Sequence, residues 1–132
     1  MYVHNQRANE ADVQELRRAG GRWLKALRTA RGLSQRQMAR EVGAEYYTFI
    51  SQLENGRGRI PPDRYRAWAR SLGLSPSTFV FNLMRFYDPV TFELLFDEDG
   101  KFGGDTSRFR RIDAAVEDAP AKATGAEGAE QA

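Results

Sequence analysis

The sequence predicts an all-α protein: a five-helix domain with a helical N-terminal extension and a disordered C-terminal tail. Three observations predict it. Apolar residues recur at helical spacing through most of the first 96 positions. Glycines and capping residues punctuate those stretches where helices should start and stop. The segment from Leu33 to Gly43, followed by Tyr46 to Gly56, reads as two short helices joined by a glycine-containing turn. The second of these carries an outward stripe of polar and aromatic side chains, a geometry suited to placing a helix in the major groove of DNA.

Residues 1–9 are polar and read as loose. A helical pattern begins near Asn9, with Val13 and Leu16 and then Trp23, Leu24, Leu27 and Ala30. Gly20 and Gly21 interrupt it, leaving one helix with a weak point or two helices end to end. Gly32 followed by Leu33 reads as a glycine stop. Ser34 with Gln37 three residues on is a capping box, so a helix starts at Gln35, buries Met38, Ala39 and Val42, and ends at Gly43. The next helix spans roughly Tyr46 to Asn55, with Tyr46, Ile50 and Leu53 expected inward and Phe49 at the edge of that face. A basic loop with Gly56, Arg57, Gly58 and Arg59 leads through Pro61 and Pro62 into a helix at about 62–72. Ser75 and Pro76 open a fifth helix to about Tyr87, and Asp88 and Pro89 restart a short element, helix or strand, through Phe96.

Composition narrows the class of protein. Charged residues make up 29% and hydrophobic ones 41%, an ordinary globular balance, and 132 residues suit one domain better than two. With no cysteine there is no disulfide scaffold and no thiolate metal site. No apolar run reaches the length of a membrane span, since even Phe79 to Met84 is broken by Asn82, and the start lacks a secretory signal; a cytoplasmic location is expected. The net charge of +2 hides an asymmetry: residues 1–75 hold fourteen Lys/Arg against seven Asp/Glu, and residues 76–132 six against eleven. All but one of the first fourteen are arginine, the residue of bidentate phosphate contacts. A basic lobe of +7 beside an acidic remainder of −5 points to a nucleic-acid partner for the lobe.

The outward face of the helix near 46–55 offers Tyr47, Thr48, Ser51 and Gln52, where an ordinary solvated helix would offer Glu and Lys. Such uncharged groups donate and accept at base edges, and Gln does so bidentately to adenine. Gln35, Arg36, Arg40, Arg57 and Arg59 stand around it as expected phosphate contacts, supplying salt-dependent affinity while the first set supplies specificity.

Residues 22–74 resemble the lambda-repressor-like, or XRE, helix-turn-helix family. The resemblance rests on Leu33-Ser34-Gln35 opening one helix, Ala39 at the helix crossing, Gly43 in the turn, and Ile50-Ser51-Gln52-Leu53-Glu54-Asn55-Gly56 closing the next. It implies a five-helix domain whose third helix reads DNA, usually as a dimer on a palindromic operator. It also implies that Gln35 binds a backbone phosphate, that Tyr47, Thr48 and Gln52 fall at base-contact positions, and that Glu54 is structural. The turn departs from the family pattern by one extra residue, at Ala44-Glu45.

Four segments follow: 1–21 as a partly helical extension, 22–75 as the helix-turn-helix domain, 76–96 as an apolar dimerisation helix and its extension, and 97–132 as a flexible acidic, Ala/Gly-rich tail. The helix from Pro76 is apolar on every face, so a second copy is expected to cover Phe79, Leu83, Phe86, Tyr87, Phe92 and Leu95. The alternative cover is residues 10–20 folding back. No catalytic set, cofactor or metal site is legible. The expected function is a sequence-specific double-stranded DNA-binding transcriptional regulator of bacterial or phage type, a dimeric repressor. The alternative is an antitoxin or similar protein that masks a protein partner through residues 76–112 and binds its own operator.

Overall fold

A computed structural model describes residues 2–96 and 111–112, with side chains from residue 10 onward. Those residues form α1 (Tyr2–Ala30), α2 (Gln35–Val42), α3 (Tyr47–Glu54), α4 (Tyr65–Leu72), α5 (Pro76–Tyr87) and α6 (Pro89–Leu95). One 3-10 turn, Pro62–Arg64, leads into α4, and no strand occurs among the described residues. The expected boundary at residues 21–22 therefore falls inside a continuous helix, and the short element after Asp88 is helical.

Gly20 and Gly21 do not break α1, and packing explains both. A Cβ on Gly21 would lie 2.3 Å from the Glu54 carbonyl oxygen, and one on Gly20 would lie 2.9 Å from Phe86 Cβ. Two consecutive residues of α1 thus touch the end of α3 and the flank of α5. The close approach offsets the roughly 1 kcal/mol that a helical glycine costs against alanine.

The caps follow the sequence closely. Ser34 Oγ accepts from the Gln37 N–H at 3.0 Å, and Gln37 Oε1 accepts from the Ser34 N–H at 2.7 Å, which sets the first residue of α2. Gly43 ends α2 in the left-handed conformation, φ 75°, where a side chain would be strained. Ser75 Oγ accepts from the Thr78 N–H to start α5, and Asp88 Oδ1 accepts from the Thr91 N–H to start α6.

A single core joins the elements. Trp23, Leu24 and Leu27 of α1 meet Met38, Ala39 and Val42 of α2, Ile50 and Leu53 of α3, Trp68, Ala69 and Leu72 of α4, and Phe79 and Leu83 of α5. Each fully buried side chain of this size contributes about 1.5–3 kcal/mol of transfer free energy. The dimer surface expected from α5 is corrected here. Phe79, Leu83 and Tyr87 are buried within the chain's own core, so no second copy can reach them. Helix α5 is apolar all round because α1 and α4 flank it and α6 packs on it. Trp23 stacks on Phe79 with centroids 5.9 Å apart and tilts against Phe86 at 5.5 Å. On the remaining side Phe92 and Phe96 close on Phe81, with centroids 5.1 and 5.0 Å away. Phe86 and Phe92 are half-buried. Of the six expected interface residues only Leu95 is exposed, beside Val90 and Leu94.

The expected flexible tail also needs correction at one point. Ile112 is completely buried and belongs to the core, although it lies well inside 97–132. The rest of that expectation, apart from Arg111, lies outside the described residues.

Candidate nucleic-acid interface

Helix α3 turns Ile50 and Leu53 into the core, and Phe49 packs half-buried against it. The opposite side presents Tyr47, 41% exposed, with Thr48 and Gln52 exposed and Ser51 half-buried. This uncharged stripe arises because the apolar anchors fall at 49, 50 and 53, which leaves 47, 48, 51 and 52 on the outer arc. Tyr46 does not join the core. It is the N-cap residue of α3 in an extended conformation and is 66% exposed, so its ring stands outside the helical register that would have turned it inward.

Two of the expected phosphate-contact residues, Arg36 and Arg57, lie at the ends of the stripe. Arg36, Arg40, Arg57 and Arg59 are all exposed. The Arg36 guanidinium lies 4.4 Å from the Tyr47 ring centroid, which joins the first turn of α2 to the first residue of α3 through a cation–π contact. At the other end the Arg57 N–H donates to the Gln52 carbonyl at 2.8 Å, so the basic loop leaves α3 directly beside Gln52. Arg59 lies 4.9 Å from the Tyr87 ring centroid, and Arg17 of α1 lies 5.5 Å from the same ring. Arg17 also donates to the Gly58 carbonyl at 3.3 Å, tying the long helix to the basic loop.

Gln35 is placed differently from its neighbours. Its Nε2 donates to Glu54 Oε1 at 3.1 Å, which anchors the side chain to the end of α3 and occupies one of its two amide protons. Glu54 in turn is 6% exposed and receives Arg28 Nε at 2.6 Å and Arg28 Nη2 at 3.1 Å. Arg28 Nη1 donates to the Leu33 carbonyl at 2.7 Å. A single bidentate pair therefore links α1, the α1–α2 connection, α2 and α3. Breaking such a pair leaves one buried charge without compensation, so it holds α3 in place more firmly than any exposed ion pair does. Sequence reasoning passed over Arg28. Its signal was an arginine four residues after Leu24, on the same stripe as the buried leucines of α1.

Two side-chain equilibria follow from this packing. Burial pushes the Tyr87 phenol above its ordinary pKa, against the opposing pull of the Ile60 N–H and of the Arg17 and Arg59 charges. The Tyr87 hydroxyl accepts the Ile60 N–H at 3.1 Å, which pins the basic loop to α5. Glu15, on the exposed side of α1, is held below the usual carboxylate range by hydrogen bonds from Arg22 and Arg18.

The arrangement is an uncharged, hydrogen-bonding helix face with Arg36 at one end and Arg57 at the other, carried on a short helix fixed from behind. No helix among the described residues is long and apolar enough to cross a membrane. Residues 24–79 match the family model for the helix-turn-helix, HTH_3, from the second half of α1 to the first turn of α5. Comparison with curated proteins gives no match.

Proposed function

Because residues 24–79 belong to the lambda-repressor-like helix-turn-helix family, a DNA-binding regulator domain, we propose that this chain is a sequence-specific regulator of transcription that reads the major groove with α3. One observation carries the reading. Tyr47, Thr48 and Gln52 form an exposed face without charge, with Arg36 against Tyr47 and Arg57 following beside Gln52, and Arg40 and Arg59 are exposed as well. Base-edge recognition needs neutral donors and acceptors, whereas phosphate neutralisation needs cations, and both kinds of group are exposed here. Gln35, held by Glu54, supplies its remaining amide proton to the backbone at the start of α2.

The chain acts as a homodimer in this reading, and as a repressor that occludes its operator. Val90, Leu94 and Leu95 support the dimer, being exposed at 65%, 64% and 44% along one short helix. Apolar side chains clustered in this way are covered at low cost by the same patch on a second copy. Two α3 helices would then meet half-sites about 34 Å apart, one turn of DNA.

Selection of random duplex DNA by the purified protein at moderate salt tests the proposal. The expected product is a palindromic motif with half-sites about one turn apart. Recovery of no motif, with binding that vanishes as salt rises, would reduce the arginines to a general polyanion surface and remove the base-reading role of α3.

A further inference from the structure

We propose that the slot between α1 and α5 is a peptide-binding site for one aliphatic residue in an extended segment, and that the chain fills it in cis with Ile112. The side chain of Ile112 is fully buried and belongs to the same core cluster as Trp23, Phe79 and Leu83. Both of its backbone polar groups are recognised as well. Its N–H donates to Asn82 Oδ1 at 2.8 Å, and its carbonyl accepts from Trp23 Nε1 at 2.9 Å and from Arg85 Nη2 at 3.1 Å. The neighbouring Arg111 is exposed.

The receiving groups are held by contacts that do not involve Ile112. Asn82 Nδ2 donates to the Thr78 carbonyl one turn back at 2.9 Å, which aims Oδ1 at the slot. Arg85 Nη2 reaches the same Oδ1 at 2.9 Å, and Trp23 is stacked on Phe79. A completely buried asparagine is costly unless its polar atoms are partnered. It serves better as a receptor for a chain segment than as packing. Apolar side-chain burial together with capture of one N–H and one C=O is the chemistry of extended-peptide recognition.

Residues 97–110 tether Ile112 to the end of α6, so the occupant is present at high effective concentration and the slot is normally filled. The ligand class is an extended peptide with an aliphatic side chain at one position. Occupancy bears on the DNA-reading end of the domain because Trp23 lies two and three residues from Gly21 and Gly20, which touch α3 and α5. The proposal itself does not depend on what α3 reads.

Nuclear magnetic resonance of the full-length chain tests it. In the native protein the Ile112 amide is expected to exchange at least about 100-fold more slowly than in an unfolded chain. Ile112→Asp is expected to move the Trp23 indole N–H resonance while the Trp68 resonance stays in place. A peptide copying residues 108–116 should then return the Trp23 signal to its native position with saturation, and the same peptide carrying aspartate in place of the isoleucine should not. Exchange of the native Ile112 amide at the unfolded rate would overturn the proposal. So would a Trp23 signal that ignores the substitution, or one that the peptide never restores. Should Ile112→Asp prevent folding, Ile112→Ala carries the peptide titration, and the native exchange rate decides on its own.

Discussion

At the level of single residues, neighbouring side chains on one helix take opposite tasks. Gln52 faces outward beside the basic loop, while Glu54, two positions on, is buried under Arg28 and Gln35. Gln52→Ala is expected to relax preference at one base position by about 1–3 kcal/mol, whereas Arg57→Ala should weaken all duplexes about equally. Competition binding against a panel of single-base operator variants separates the two, and a base-selective loss at Arg57 would reverse this sorting. Glu54→Ala is expected to cost about 3–5 kcal/mol of folding stability, because it strands the Arg28 guanidinium in the core. Urea unfolding followed by circular dichroism measures it, and a loss below about 1 kcal/mol would mean that water reaches the pair. Tyr87 gives the alkaline limit. Its raised pKa favours the neutral phenol in the fold, so its contribution is complete below the ordinary tyrosine range and is lost as pH rises through the folded value. Thermal stability should therefore fall above about pH 10, and Tyr87→Phe should reduce that fall. The same variant is expected to cost about 1–3 kcal/mol at neutral pH by leaving the Ile60 N–H unpartnered.

At the level of elements, α1 is the beam against which the others are set. Its glycine pair reads locally as a weak point, yet both residues sit where neighbouring elements come too close for a Cβ. Gly21→Ala separates the two views. Helix propensity alone would stabilise α1 by about 1 kcal/mol. A Cβ 2.3 Å from the Glu54 carbonyl oxygen must instead push α3 away, and backbone cannot yield as a flexible side chain does. The expected result is a lower melting temperature together with weaker DNA binding, measured by scanning calorimetry and fluorescence anisotropy on the same variant. A stabilised protein with unchanged binding would show that the crossing has slack. Helix α5 makes a parallel point. Its all-round hydrophobicity is met within one chain by α1, α4, α6 and Ile112, so a pattern that called for a partner was largely satisfied from inside.

At the level of the whole molecule, an apolar face of α6 with Val90, Leu94 and Leu95 is left exposed among the described residues. Leu94→Glu is expected to shift the protein toward monomer in sedimentation equilibrium and to weaken binding to a palindrome far more than to a half-site, since dimer linkage is lost while each α3 is intact. An unchanged molar mass would move the dimer interface elsewhere. The asymmetric charge is legible as a division of labour on this scale: the arginine-rich lobe carries the proposed DNA face, and α6 lies in the part with an acidic surplus.

The sequence by itself determined the helical class, the starts of α2, α5 and α6, the stop at Gly43, and the uncharged outer stripe of α3. Each of these depends on residues within a turn or two of one another, through caps, propensity and the 3.6-residue period. Only the tertiary structure decided that Gly20 and Gly21 are contact points, that Tyr46 stands outside while Tyr87 lies inside, and that Arg28 and Glu54 meet from 26 positions apart. It also seated Ile112 against Trp23 from 89 positions away. Local periodicity says which residues must be buried, but which element covers them depends on how the chain returns on itself. Asn82 shows the limit most plainly: as sequence it interrupts an apolar run, and in the fold it is the group that receives Ile112.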